Sequence, residues 1–144
     1  MSGRRAIGAR MPNELYLHDA LAWSEQQADL LRRFGRGERV NGIDWDNVAE
    51  EIEDVGLSEL RAVKISVRQI LIHLLKLSVM PDDLAAAHWR GEIVEFQAQL
   101  GDAFMPSMRQ RLEVEKTYRD VVRGLMADDK TLALPDVSPF ALDQ

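Results

Sequence analysis

The 144-residue sequence predicts an all-α protein, a compact bundle of about five helices with a short C-terminal loop and helix turn. Three observations carry this reading. Apolar residues recur at spacings of three, four and seven along five segments, as they do on a helix with one dry face. Glycine or proline stands between those segments, where each residue type stops one helix or opens the next. No segment alternates apolar and polar residues in the way a half-buried strand requires.

The first helix is expected from Asn13 or Asp19 to Phe34, with Leu17, Leu21, Ala28 and Leu31 on one stripe and Ala20, Trp23, Leu30 and Phe34 beside it. Gly35 and Gly37 stop it, and Asn41-Gly42 marks a turn. Asp44 is a good N-cap for a second helix, with Ile43 and Val48 placed as a hydrophobic staple, and Gly56 ends or bends it. A third helix follows from Leu57 to Met80, limited by Pro81. Its main stripe is Leu60, Val63, Val67, Ile70, Leu71, Leu74 and Leu77, and Ile65, Ile72 and Val79 form another, so its C-terminal half is apolar almost all round. Such a helix lies at the centre of a core or at a subunit interface.

A fourth helix is expected from Asp83 to Phe104, with Trp89, Ile93, Phe96, Leu100 and Ala103 inward. Pro106 opens a fifth that runs to about Met126 and carries Glu113/Lys116, Glu115/Arg119 and Asp120/Arg123 pairs on its wet face. Pro135 and Pro139 make the last stretch a loop, in which Ser138-Pro139 can open one short helix. Residues 1–12 are expected to be a flexible tail, with three arginines and no acid in the first ten, and 13–144 a single helical domain. Removal of residues 1–10 should leave stability nearly unchanged, because they hold no apolar stripe with which to dock.

Composition narrows the function classes. A net charge of −6 and a pI near 5.1 argue against nucleic acid, whose binders rely on a basic surface. The absence of cysteine excludes disulfides, thiolate metal sites and cysteine nucleophiles, and suits a reducing cytoplasm. The longest apolar-rich run, Ile70 to Met80, is interrupted by His73, Lys76 and Ser78 and falls short of the roughly 20 residues of a membrane span. Neither a membrane segment nor a secretory leader is expected.

The densest chemical feature is the acid run on the second helix. Residues 44–54 hold Asp44, Asp46, Glu50, Glu51, Glu53 and Asp54 and no base, and the third helix answers with Arg61, Lys64, Arg68 and Lys76. A turn at Gly56 would fold the third helix back along the second, pairing Glu50, Glu51, Glu53 and Asp54 with Arg61, Lys64 and Arg68 in an ionic network. The alternative is a divalent metal held by Glu50 and Glu53 with His73. Neither the Glu-x-x-His pair of di-iron bundles nor HExxH occurs, and Gly-x-Ser-x-Gly and phosphate-binding glycine loops are missing. His18, His73 and His88 lie on different predicted helices, none paired at ligand spacing. His73, set among leucines, reads as a core histidine bonded to a carboxylate or carbonyl. Trp23, Trp45 and Trp89 all fall on apolar faces and read as core anchors.

A family resemblance rests on five segments in order: DALAWSEQQADLL from Asp19, with Trp23, Gln27, Ala28 and Leu31; WDNVAEEIEDVG from Trp45, followed by Ser58-Glu59; LIHLLK from Leu71; Trp89-Arg90 with the later Pro106-Ser107-Met108; and the closing SPFALDQ from Ser138. Together they resemble the family catalogued as domain of unknown function 29, small helical proteins of bacteria and especially cyanobacteria. The likeness covers residues 14–144; Phe140 stands where a tyrosine is common. It implies a helical fold and no activity, and it marks Glu50, Glu51, Glu53, His73 and Lys76 as part of the shared pattern. The sequence thus leaves two readings. One is a non-enzymatic helical adaptor that needs no cofactor and meets a protein partner or a second copy through the third helix. The other is a metal-dependent enzyme built from acids of the second helix and a histidine.

Overall fold

Asp19 divides the first predicted helix in two. The computed structural model, which describes residues 12–140, shows α1 at Pro12–His18 and α2 at Ala20–Gly35. Between them the Asp19 carboxylate accepts from the Ala22 backbone N–H at 3.0 Å and caps α2. The break resets the register, so Leu17 and Leu21 are exposed rather than inward, and α2 buries Trp23 and Gln27. α2 closes at Gly35, and Gly37 and Gly42 in the loop beyond take the left-handed conformation, at φ 83° and 89°.

The helix boundary expected at Gly56 is absent. One helix, α3, runs for 35 residues from Trp45 to Val79, so the predicted second and third helices are one. A single glycine costs a helix only about 1 kcal/mol relative to alanine. Buried residues anchor the helix on both sides of it, Val48 before and Leu60 and Val63 after. α4 follows at Ala86–Ala103. The predicted fifth helix splits into a 3-10 helix at Pro106–Arg111 and α5 at Val114–Asp128, because Glu113 between them turns to φ 48°. No strand occurs among the described residues, so the all-α class stands.

The chain gathers into two compact units, one up to Val55 and one from Gly56. In the first, Trp23, Gln27 and Val48 are buried. Gln27 locks the loop to α2: its amide Nε2 donates to the Gly42 carbonyl at 3.1 Å, and its Oε1 accepts from the Asp44 N–H at 2.8 Å. In the second unit the core is Leu60, Val63, Val67, Leu71 and Leu75 of α3, Met108, Leu112, and Tyr118 and Val121 of α5. The inward stripe of α3 advances by four after Val63 and reaches Leu75, which the sequence stripe through Leu74 and Leu77 missed. The Tyr118 hydroxyl donates to the Pro135 carbonyl at 2.7 Å and ties the C-terminal segment to α5, while Leu134 and Phe140 pack on the core. Ser138 opens no helix within the described residues; its hydroxyl oxygen accepts from the Phe140 N–H at 3.1 Å in a local turn. The predicted tail 1–12 lies outside the described residues except for Pro12, which begins α1.

Candidate functional site

Because α3 is continuous, the acid run and the cations follow one another along a single helix. They do not face each other across two. Arg61 is seven residues beyond Asp54, about 10 Å along the axis, too far for a helical neighbour pair. Among the described residues no ion pair joins Glu50, Glu51, Glu53 or Asp54 to Arg61, Lys64 or Arg68; Arg61 instead donates to the Ser58 hydroxyl at 3.0 Å. The metal set meets the same obstacle. Glu53 and His73 are twenty residues apart on α3, roughly 30 Å along its axis. No three His, Asp or Glu side chains among the described residues are grouped to hold a metal ion.

Two of the acids have structural partners in the first unit. The Asp44 carboxylate accepts from Trp23 Nε1 at 3.2 Å and from Asn47 Nδ2 at 2.7 Å, while its backbone carbonyl receives Val48 N–H at the start of α3. Glu51 accepts from the Tyr16 hydroxyl at 2.7 Å, and Tyr16 stacks edge-on against Trp23 with ring centres 4.8 Å apart. The Glu51 bond, with the charges of Glu51, Glu50 and Asp54 acting in the same direction as partial desolvation, pushes the Tyr16 phenol up to about 12. Residues 12–55 hold eleven acids against four arginines, a net −7. With the three arginines of residues 1–10 the unit up to Val55 stands at −4 of the chain's −6, so it carries most of the negative charge.

Beside the acids lies apolar surface that none of the described residues covers. Trp45, Ala49 and Ile52 form one row along α3 at spacings of four and three, and Val55 extends it. Trp45 is 55 % exposed, Ile52 69 % and Val55 68 %. Phe34 of α2, 54 % exposed, meets Trp45 edge-to-face at 5.7 Å, widening the row. Trp45 is therefore no core anchor. The sequence placed it on an apolar face correctly but could not say that this face stays wet. Asp46, Glu50 and Glu53 occupy the adjacent row of the helix, all exposed.

In the second unit His73 is the core histidine that its setting implied. It is 7 % exposed, and its Nε2 lies 2.7 Å from Glu92 Oε2 on α4. His88, one turn before Glu92, approaches the other carboxylate oxygen at 3.4 Å. Lys76 lies over the Trp89 ring at 5.6 Å, and Phe96 meets the His73 ring edge-on. Burial depresses the His73 pKa; Glu92 opposes this, and the Lys76 and His88 charges add to it. Burial prevails because Glu92 is itself a third exposed and water screens its charge. A neutral His73 donates from Nε2 to Glu92, which leaves Nδ1 buried without a partner. This cluster clasps α3 to α4. Glu92 was missed in the sequence because nothing in the eighteen intervening positions marks it as the partner of His73. His18, at the end of α1, is exposed and stands in the other unit.

Trp23 and Gln27, which carried the family resemblance in α2, are that helix's buried residues. His73, Lys76 and Trp89, which carried it further on, meet in the clasp. No curated protein matches the chain. A solved structure is similar: the crystal structure of an α-helical protein of unknown function from Rhodospirillum rubrum shares 32 % identity, covering 89 % of this chain and 86 % of that one, with a TM-score of 0.66. Residues 15–144 match the family described as domain of unknown function DUF29, and the chain belongs to that family.

Proposed function

We propose that the protein is a non-enzymatic helical interaction domain that receives a protein partner on the outer face of its first unit. One observation carries this: Phe34, Trp45, Ile52 and Val55 are each more than half exposed in one contiguous row. Aromatic and branched apolar side chains gathered on the surface supply the anchors that dominate protein interfaces. The interface expected from the sequence lay further along, in the apolar half of the predicted third helix. Of that half, Leu71 and Leu75 belong to the core of the second unit and Ile72 packs against it. Support for a binding role also comes from the titratable clusters, whose members hold helices and loops together. The reading requires no cofactor and places the protein in the bacterial cytoplasm; no helix among the described residues is long and apolar enough to cross a membrane.

Site-specific photo-crosslinking in the native cells tests it. A crosslinker at Ile52 should give a discrete adduct that is lost when Trp45→Ala is added. The same crosslinker at the exposed Arg119 of α5 should not give that adduct. Absence of any adduct from positions 45, 52 and 55 would overturn the reading.

A further inference from the structure

We infer that the partner segment received by this face is a basic amphipathic helix; the inference rests on the interaction reading above and names its occupant. The face has two parallel parts. Trp45, Ala49 and Ile52, with Val55 and Phe34, give an apolar row about one side chain wide and three turns long. Asp46, Glu50 and Glu53 give an exposed acid row along one side of it. None of these three acids takes part in an ion pair among the described residues, unlike Glu38 of the neighbouring loop, which holds Arg33 at 2.9 Å and Arg36 at 3.0 Å.

A helix is the segment that matches a straight row of this pitch, because its own i, i+3, i+4 and i+7 side chains lie in the same kind of row. Apolar residues on that stripe would cover Trp45, Ile52 and Val55. Lys or Arg on its flank would then stand opposite Asp46, Glu50 and Glu53. The charge of the surrounding unit, −7 over residues 12–55 and −4 once the three arginines of residues 1–10 are counted, draws in a cationic segment and repels an acidic one. A second copy of this chain is a poorer match for the same reason, since it presents the same acids beside the same apolar row.

The test uses two synthetic helical peptides of about 18 residues, five turns, with the same leucine stripe. One carries lysine on its polar face and the other glutamate. Titrated into the full chain by calorimetry, the lysine peptide should bind and the glutamate peptide should not. Ile52→Asp should weaken the lysine peptide by about tenfold, the scale of losing one interface anchor. That variant adds a negative charge, so attraction by charge alone predicts equal or tighter binding, a result that overturns the proposal. Asp46→Asn, Glu50→Gln and Glu53→Gln combined should also weaken binding by about tenfold, and added salt should weaken it further. Unchanged binding by this amide variant would overturn the proposal from the other side. Val55→Asp serves as the second apolar variant, and an unaltered circular dichroism melt certifies each protein. A dimer in light scattering that Ile52→Asp dissociates and the lysine peptide does not would assign the face to a second copy and refute the basic helix. An Ile52 crosslink in cells without lysine-peptide binding would leave the interaction reading standing and sink only this occupant.

Discussion

Removing the Glu92 carboxylate should cost more than an acid one-third exposed normally contributes, because His73 depends on it. The imidazole is buried, and its Nδ1 already lacks a partner. Glu92→Leu would leave Nε2 without one as well. Orphaning a buried polar group costs about 1–3 kcal/mol. In a chain of this length each kcal/mol lowers Tm by roughly 4 °C, so the variant should melt roughly 4–12 °C below the wild type. Glu92→Gln keeps an oxygen that accepts from Nε2 and should lose less than half as much. His88→Ala removes only an exposed contact at 3.4 Å and should stay within about 0.5 kcal/mol of wild type.

The same clasp sets a pH dependence whose sign follows from burial. The folded state holds the His73 pKa below its ordinary value, so the unfolded chain takes up a proton that the native state refuses. The stabilisation is complete above about pH 6.5, the unfolded value, and is lost as pH falls through the folded one. The slope cannot exceed about 1.4 kcal/mol per pH unit for one group. Urea melts followed by circular dichroism between pH 7.5 and 5 should show wild-type stability falling, and His73→Phe should flatten the fall. Parallel curves for the two proteins, or a Glu92→Leu variant as stable as wild type at pH 7.5, would refute the assignment of the clasp.

Three further substitutions probe the fold in urea melts. Tyr118→Phe removes the hydroxyl that holds Pro135 and should cost about 0.5–1.5 kcal/mol; no change would mean that the C-terminal segment is not tied by this bond. Gln27→Leu leaves the Gly42 carbonyl and Asp44 N–H without their partner and should cost about 1–3 kcal/mol, with unaltered stability counting against the loop lock. Gly56→Ala should stabilise by about 0.5–1 kcal/mol, since an added Cβ meets nothing within 4 Å and the site is helical; destabilisation would restore the helix end that the sequence suggested there.

Gly56 also shows what the sequence could and could not convey. Helical periodicity lies within one segment, so the all-α class and the inward positions Trp23, Val48, Leu60, Val63, Val67, Leu71 and Ile93 were legible from spacing alone. Whether a glycine ends a helix depends on the buried residues on either side of it, which are known only once the chain is packed. Reading Gly56 as a boundary turned one helix into two. It then paired the acids of residues 44–54 with cations that in fact follow them on the same helix. Glu92 and the lone Leu75 were illegible for the related reason that each is defined by a neighbour distant in sequence.

Exposure was the deeper omission. A row of Trp45, Ala49 and Ile52 reads in sequence as a core face, because burial is the commonest fate of such a row. In this chain α2 instead offers Trp23 and Gln27 to the first unit's interior. Asp44, just before α3, accepts from Trp23 Nε1 and donates its N–H to Gln27, and Glu51 of α3 accepts from Tyr16, which packs on Trp23. Those bonds accompany an inward Val48, while Trp45, Ala49, Ile52 and Val55 beside it on α3 stay exposed. The acid run then reads differently. Five of its six members divide by role: Asp44, just before α3, and Glu51 hold the unit together, while Asp46, Glu50 and Glu53 border the uncovered row. Like charges one turn apart on a helix repel by a few tenths of a kcal/mol, and within the described residues no cation offsets them here. A basic helix laid along the row would relieve that repulsion and cover the apolar surface in a single event.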